Sequence, residues 1–249
     1  MPISSDQRRR DVLQAVIREY LRSGEPVGSA SLCERYDLGV SAATVRGDLA
    51  DLVEEGFLVQ PHTSAGRVPT AGGYRLYVDE FIREAALAAR QQEAIIQALK
   101  AFELQRERAA KAFARMVAEM TGETVVMRYG DAGDTLVAGL ANLANKPESR
   151  LGTILTEISR AIDEIEETMA EVRRRLNRDV AVLIGPDNPF GDDLAGVFTE
   201  LAVPGVGDTT IGVVGPQRMD YDKNVALVRF LKAQEAVGPR RLGSGPDGG

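Results

Sequence analysis

Residues 41–70 read SAATVRGDLADLVEEGFLVQPHTSAGRVPT, and the spacing of apolar and turn-forming residues in this stretch decides the fold of the first third of the chain. Ser41 is placed to act as an N-cap. Val45, Leu49 and Leu52 follow at intervals of four and three, which puts one apolar stripe on a helix of about four turns. The opposite face opens with Ala43, Thr44, Arg46 and Gly47. Small and basic residues on the first turns of an exposed helix suit entry into a DNA major groove, where an Arg fork bonds guanine edges and a Thr hydroxyl or methyl meets a base or phosphate. Phe57, Leu58 and Val59 then have strand propensity, and Pro61, His62, Thr63, Ser64, Ala65 and Gly66 make a loop before Arg67 and Val68 return. The loop offers hydroxyl, backbone and guanidinium donors to phosphates or a minor groove. The outline is a recognition helix followed by a wing; the alternative is an ordinary amphipathic helix followed by a solvated β-hairpin.

The residues before this stretch complete the motif. Val12, Leu13, Val16, Ile17, Tyr20 and Leu21 give residues 6–22 the period of an amphipathic helix, which Gly24 ends. Glu25, Pro26, Val27 and Gly28 form a turn, and Ser29 or Ser31 starts a second short helix through Cys33 to Tyr36, broken by Gly39. Three short helices with tight connections, the third followed by a hairpin, make a helix-turn-helix with a wing.

The chain has 249 residues, 44% of them hydrophobic and 27% charged, enough for two domains with real cores. No apolar run approaches the roughly 18 residues of a membrane span. The start, Met-Pro-Ile-Ser-Ser, is polar with no apolar signal core after it, and the single cysteine, Cys33, cannot form an internal disulfide. Both point to a soluble protein of the reducing cytoplasm. Net charge is −7, and residues 1–84 hold ten Arg, no Lys and thirteen acidic residues, a balance of −3. DNA contact must therefore depend on local placement of charge, because the field of the whole domain is not attractive.

Several runs resemble one family. Gly24-Glu25-Pro26-Val27-Gly28-Ser29, Ser41-Ala42-Ala43-Thr44-Val45-Arg46, Pro61-His62-Thr63-Ser64-Ala65-Gly66-Arg67-Val68-Pro69-Thr70 and Gly73-Tyr74-Arg75-Leu76-Tyr77-Val78-Asp79 look like the heat-inducible transcription repressor HrcA family, over roughly the first 85 residues. The wing motif is far more specific than a generic helix-turn-helix. Where the family usually has Asn and then Asp after the recognition-helix Arg, this chain has Gly47 before Asp48.

Further along, Thr70 is placed to cap a linker helix carrying Tyr74, Tyr77, Val78 and Phe81, and residues 85–120 read as one or two long helices. Thr124 to Met127 suit a strand, and residues 130–134 a turn. Ile154, Ile158, Ile162, Ile165, Met169, Val172 and Leu176 form a helical seam close to a heptad, which such stripes more often pack on their own sheet than on a second chain. Residues 179–184 are a buried strand, residues 194–203 and 209–214 further strands, and residues 222–236 a final helix. The glycines at 205, 207, 212 and 215 match neither a P-loop nor a dinucleotide fingerprint and are expected in turns. Leu140, Asn142, Leu143, Pro147 and Glu148, and Ile211 to Pro216 with Arg218-Met219-Asp220-Tyr221, again resemble the HrcA family.

The expected fold class is α/β in the α+β sense. Residues 1–84 are a winged helix-turn-helix DNA-binding domain, 85–121 a helical linker, 122–236 the effector and dimerisation domain, which the resemblance makes GAF-like, and 237–249 a disordered tail rich in Gly, Pro, Ser and Arg. The family normally carries an inserted dimerising segment in that domain. This chain is shorter than usual, and only the turn at 130–134 separates the first strand from the Leu140 region, so the insert is expected to be missing and the long helices to supply a two-fold contact.

No catalytic or metal constellation emerges. His62 is the only histidine and Cys33 the only cysteine, which excludes the common zinc patterns. A Ser-His-Asp triad would have to use a histidine at a wing tip, and the acidic pairs lie on helix faces as solvated charge. Neither an enzyme nor a cofactor is expected. The resemblance implies a homodimeric repressor of chaperone operons on an inverted-repeat operator of double-stranded DNA, kept active by the chaperonin GroEL. In that reading Thr44 and Arg46 contact base edges, Ser41 and Ala43 approach the groove wall beside Gly47, and Ser64, Gly66 and Arg67, with His62 and Thr63, hold the flanking backbone. Two alternatives are a winged-helix regulator whose GAF-like domain senses a small molecule, and an adaptor in which both halves bind proteins.

Overall fold

The computed structural model describes residues 5–62, 65–82, 87–101, 106–130, 133–148, 152–176, 179–203 and 206–235. The first helix, α1 (Ser5–Ser23), buries Val12, Leu13, Val16 and Ile17. Helices α2 (Ser29–Arg35) and α3 (Ala42–Glu54) pack across it, and Gly39 takes a left-handed turn between them at φ 65° that other residues adopt at a cost. Strands β1 (Leu58–Val59) and β2 (Val68–Pro69) pair antiparallel. An isolated bridge from Val27 to Arg67 adds a third short strand from the α1–α2 connection.

Helix α4 (Ala71–Phe81) follows without a break. Its N-cap is Thr70, whose Oγ1 accepts from Gly73 N at 3.1 Å and donates to Gly56 O at 2.7 Å. The linker region forms two helices, α5 (Ala89–Ala101) and α6 (Arg106–Thr121). A five-stranded sheet comes next, built from β3 (Thr124–Tyr129), β4 (Asp134–Ala138), β5 (Ala181–Ile184), β6 (Leu194–Val203) and β7 (Gly207–Pro216) in the order β4-β3-β7-β6-β5. Every pairing is antiparallel. β3 and β4 are paired up to Tyr129↔Asp134, so four residues join them and no inserted segment lies at that turn. The short α7 (Leu140–Ala144) follows β4, and α10 (Tyr221–Glu235) closes the described chain. This is the expected α+β organisation, a winged helix followed by long helices and a GAF-like sheet. The expected disordered tail, 237–249, lies outside the described residues.

The apolar seam of residues 154–176 packs on its own sheet. Ile154, Ile158, Met169 and Val172 share one core with Val126, Leu183, Leu194, Phe198 and Val214. The seam is not one helix, however. Glu164, at φ −110° and ψ 38°, divides it into α8 (Thr153–Asp163) and α9 (Ile165–Arg175). A second expectation is corrected in β7, where Gly212 and Gly215 sit inside the strand rather than in turns. A Cβ on Gly212 would stand 2.1 Å from the Phe198 ring, and one on Gly215 would stand 2.4 Å from Glu123 Oε2. These glycines leave room for a buried ring and a buried carboxylate.

The other face of the sheet belongs to a second core that runs without interruption from Val125, Val197 and Val213 through Tyr221 and Val225 of α10 and Tyr74 and Tyr77 of α4 to Leu13 and Leu49 in the winged helix. Polar contacts cross the same junction. Arg75 Nη2 donates to Ile184 O at 2.6 Å and its guanidinium pairs with Asp187 at 2.5 Å. The Tyr77 hydroxyl donates to Asp222 Oδ2 at 2.8 Å, and burial pushes that phenol up to about 12. Arg218 joins Glu148 at 2.5 Å and Leu21 O at 3.3 Å.

Candidate nucleic-acid interface

Ser41 caps α3 as its sequence position suggests. Its Oγ accepts from Thr44 N at 3.3 Å and lies 3.1 Å from Thr44 Oγ1, so the cap steadies the Thr44 side chain. Val45, Asp48, Leu49 and Leu52 face the core, while Ser41, Ala43, Thr44, Arg46 and Gly47 are all exposed. One helix face therefore presents five of the expected contact residues together.

The electrostatics of α3 are polarised along its axis. Arg46 makes no ion pair among the described residues, and its position in the second turn leaves the N-terminal half of the exposed face basic. The acidic residues gather toward the C-terminal half, where Arg9 reaches Glu55 at 3.1 Å and Asp51 at 3.6 Å. Asp48, the one carboxylate on the core side, receives Arg8 through two hydrogen bonds of 2.8 and 2.9 Å. That fork ties α3 to α1, and sequence reading missed it. A carboxylate breaking into an otherwise apolar stripe was the available signal.

The wing is anchored at its base. Val27 N donates to Arg67 O at 2.9 Å and Arg67 N donates to Val27 O at 2.8 Å. A Cβ on Gly66 would lie 2.5 Å from the Val27 carbonyl carbon, so only glycine fits there. Arg67 is half-buried at this staple and donates to Ala65 O at 3.3 Å. His62 is exposed, and its carbonyl accepts from Ala65 N at 2.8 Å. Thr63 and Ser64 lie outside the described residues. Gly66 and Arg67 thus belong to the base of the wing, with His62 further out.

Among the described residues no group of three or more His, Cys, Asp or Glu side chains is arranged to hold a metal ion, and no helix is long and apolar enough to cross a membrane.

Residues 79–225 match the family model described as the HrcA protein C-terminal domain. The chain belongs to the HrcA family. Its similarity extends to curated HrcA relatives, each named heat-inducible transcription repressor. That of Nocardia farcinica is 37% identical over 172 residues, covering 69% of this chain and 49% of the relative. That of Acidothermus cellulolyticus is 39% identical over 184 residues, covering 71% and 54%. That of Cutibacterium acnes is 36% identical over 202 residues, covering 76% and 59%. The chain thus spans about half the length of the curated HrcA relatives it matches. A crystal structure described only as a hypothetical protein shares the fold, with a TM-score of 0.72 at 17% identity over 95% of this chain and 98% of that one.

Proposed function

We propose that this HrcA-family chain is a sequence-specific transcriptional repressor that binds double-stranded DNA as a homodimer, at an inverted repeat upstream of chaperone operons. Residues 1–84 bind the DNA, 85–121 link, and 122–236 form the effector and dimerisation domain. The observation that carries this reading is the exposed first half of α3, where Ala43, Thr44, Arg46 and Gly47 stand together beside the Ser41 cap, with no carboxylate paired to Arg46 among the described residues. Thr44 and Arg46 meet base edges, Ser41 and Ala43 meet the groove wall, and the wing with His62, Thr63, Ser64, Gly66 and Arg67 lies along the flanking backbone. The names of the relatives, heat-inducible transcription repressor, support a repressor linked to heat, and a binding rather than an enzymatic role.

The chaperonin GroEL is the proposed partner that keeps the repressor active until heat stress diverts it, which places the protein in the cytoplasm. Footprinting of the purified protein on DNA upstream of the host's own chaperone genes, with and without chaperonin, tests both parts. Protection of an inverted repeat is expected, strengthened by chaperonin. Absence of protection under both conditions removes the repressor reading, and protection indifferent to chaperonin removes the partner.

A further inference from the structure

A cleft of about 1130 Å³ opens between strand β5, helix α10 and helix α4, well away from α3 and the wing. β5 is an end strand of the sheet and has a neighbour, β6, on one side only. On its open side Ile184 O accepts from Arg75, whereas Asp179 O, five residues earlier, accepts from Thr199 of β6. Main-chain groups alternate between the two sides of a strand. Within β5 (Ala181–Ile184) Val182 therefore shares the side of Ile184 and turns its N–H and C=O groups into the cleft that it lines.

An end strand with free main-chain donors and acceptors is a template for another strand. The opposite wall supplies charge. Lys232 is held by Glu235 at 2.5 Å and Arg75 by Asp187 at 2.5 Å, but Arg229 donates only to Ile82 O, at 3.0 Å, and makes no ion pair among the described residues. Four cations and three carboxylates line the cleft, in a chain whose net charge is −7.

We infer that this cleft is a docking groove for an extended, acidic peptide segment of another protein, which adds to β5 as a sixth strand and places a carboxylate on Arg229. Charge separates this occupant from the two nearest competitors. The chain's own residues 236–249 follow α10 in sequence, but they carry Arg240 and Arg241 against Asp247, the same sign as Arg229. A second copy paired edge to edge through β5 would bring a second unpaired Arg229 and no surplus of carboxylates to meet the first. The groove lies in the sheet half, and its test does not involve DNA.

The probe is a labelled heptapeptide, Thr-Val-Asp-Val-Asp-Val-Thr, followed by fluorescence anisotropy with the full chain beside its Asp-to-Lys counterpart. Saturable micromolar binding of the acidic peptide alone is expected. Arg229→Ala should weaken it by about tenfold, since a partly desolvated ion pair is lost. Val182→Pro should remove it, because proline is tolerated on a strand edge but donates no N–H. Hydrogen exchange on the unmodified chain should show the Val182 amide protected by the acidic peptide, a readout that stands even if the proline variant fails to fold. The proposal is overturned if neither peptide binds at about 1 mM, if both bind equally, or if the Val182 amide is not protected. It is also overturned if Val182→Pro converts a dimer to a monomer, which would assign the edge to a second copy.

Discussion

Glu19 and Glu123 are both buried, at 5% and 1% exposure, and their surroundings move them in opposite directions. The hydrogen bonds from Arg22 hold Glu19 below the ordinary carboxylate range, with Arg35 adding attraction. Burial raises Glu123, and Lys146 at 2.8 Å offsets this only in part. The signs for folding follow. Glu19, depressed in the folded state, stabilises the protein above its unfolded value, and this is lost as pH falls through the folded value. Glu123, raised in the folded state, opposes folding once it is ionised, and that opposition is relieved as pH falls. Urea melts across a pH series should show Glu19→Gln less stable than the parent at about pH 7, with the gap closing under acid. Glu123→Gln should be the more stable of its pair at alkaline pH, with its advantage vanishing below about pH 4. Gly47 gives a second prediction at this scale. An added Cβ meets nothing within 4 Å, so the fold does not require glycine there, and in a helix it costs about 0.5–1 kcal/mol relative to alanine. Gly47→Ala should raise stability by that amount and, with a methyl added to the face proposed to enter the groove, lower operator affinity in a gel shift.

At the scale of elements, the helix-turn-helix and the wing were legible because their signals are local: the Ser41 cap, the stripe of Val45, Leu49 and Leu52, and the turn residues around Gly66. The staple of the wing to the α1–α2 turn was not, because Val27 and Arg67 are distant in sequence and a two-residue bridge has no periodicity. Gly66→Ala tests that staple. Its Cβ would collide with the Val27 backbone, which cannot swing aside as a side chain can, so a loss of about 1–3 kcal/mol is expected. Amide exchange at Val27 and Arg67 should quicken while the Thr70 cap of α4 stays protected. The seam from Ile154 to Leu176 shows the converse limit. Its period correctly located an apolar face, but that face continues across the break at Glu164, so the period carries no sign of the break.

In the whole molecule, the winged helix and the sheet share one core, and part of their junction joins two stretches that carry the family resemblance. Tyr74 and Tyr77 in the first meet Tyr221 and Asp222 in and beside the second, with the Tyr74 and Tyr221 ring centroids 5.4 Å apart. Sequence showed that both stretches were distinctive but not that they touch, since nothing in either encodes the fold between them. A double-mutant cycle of Tyr77→Phe with Asp222→Asn should return a coupling of about 1 kcal/mol in chemical denaturation. The exposed face of α3 was legible for a different reason: exposure follows directly from the helical period, so Thr44, Arg46 and Gly47 could be placed there without tertiary knowledge. The central claim is that this face reads DNA sequence. It is tested most directly by measuring affinity for the protected inverted repeat and for a scrambled duplex at fixed salt, with the parent chain and with Arg46→Ala. The parent should prefer the repeat, and Arg46→Ala should lose about 1–3 kcal/mol on the repeat while binding the scrambled duplex almost as before. Equal loss on both duplexes, or no loss on either, would contradict a base-reading role for α3.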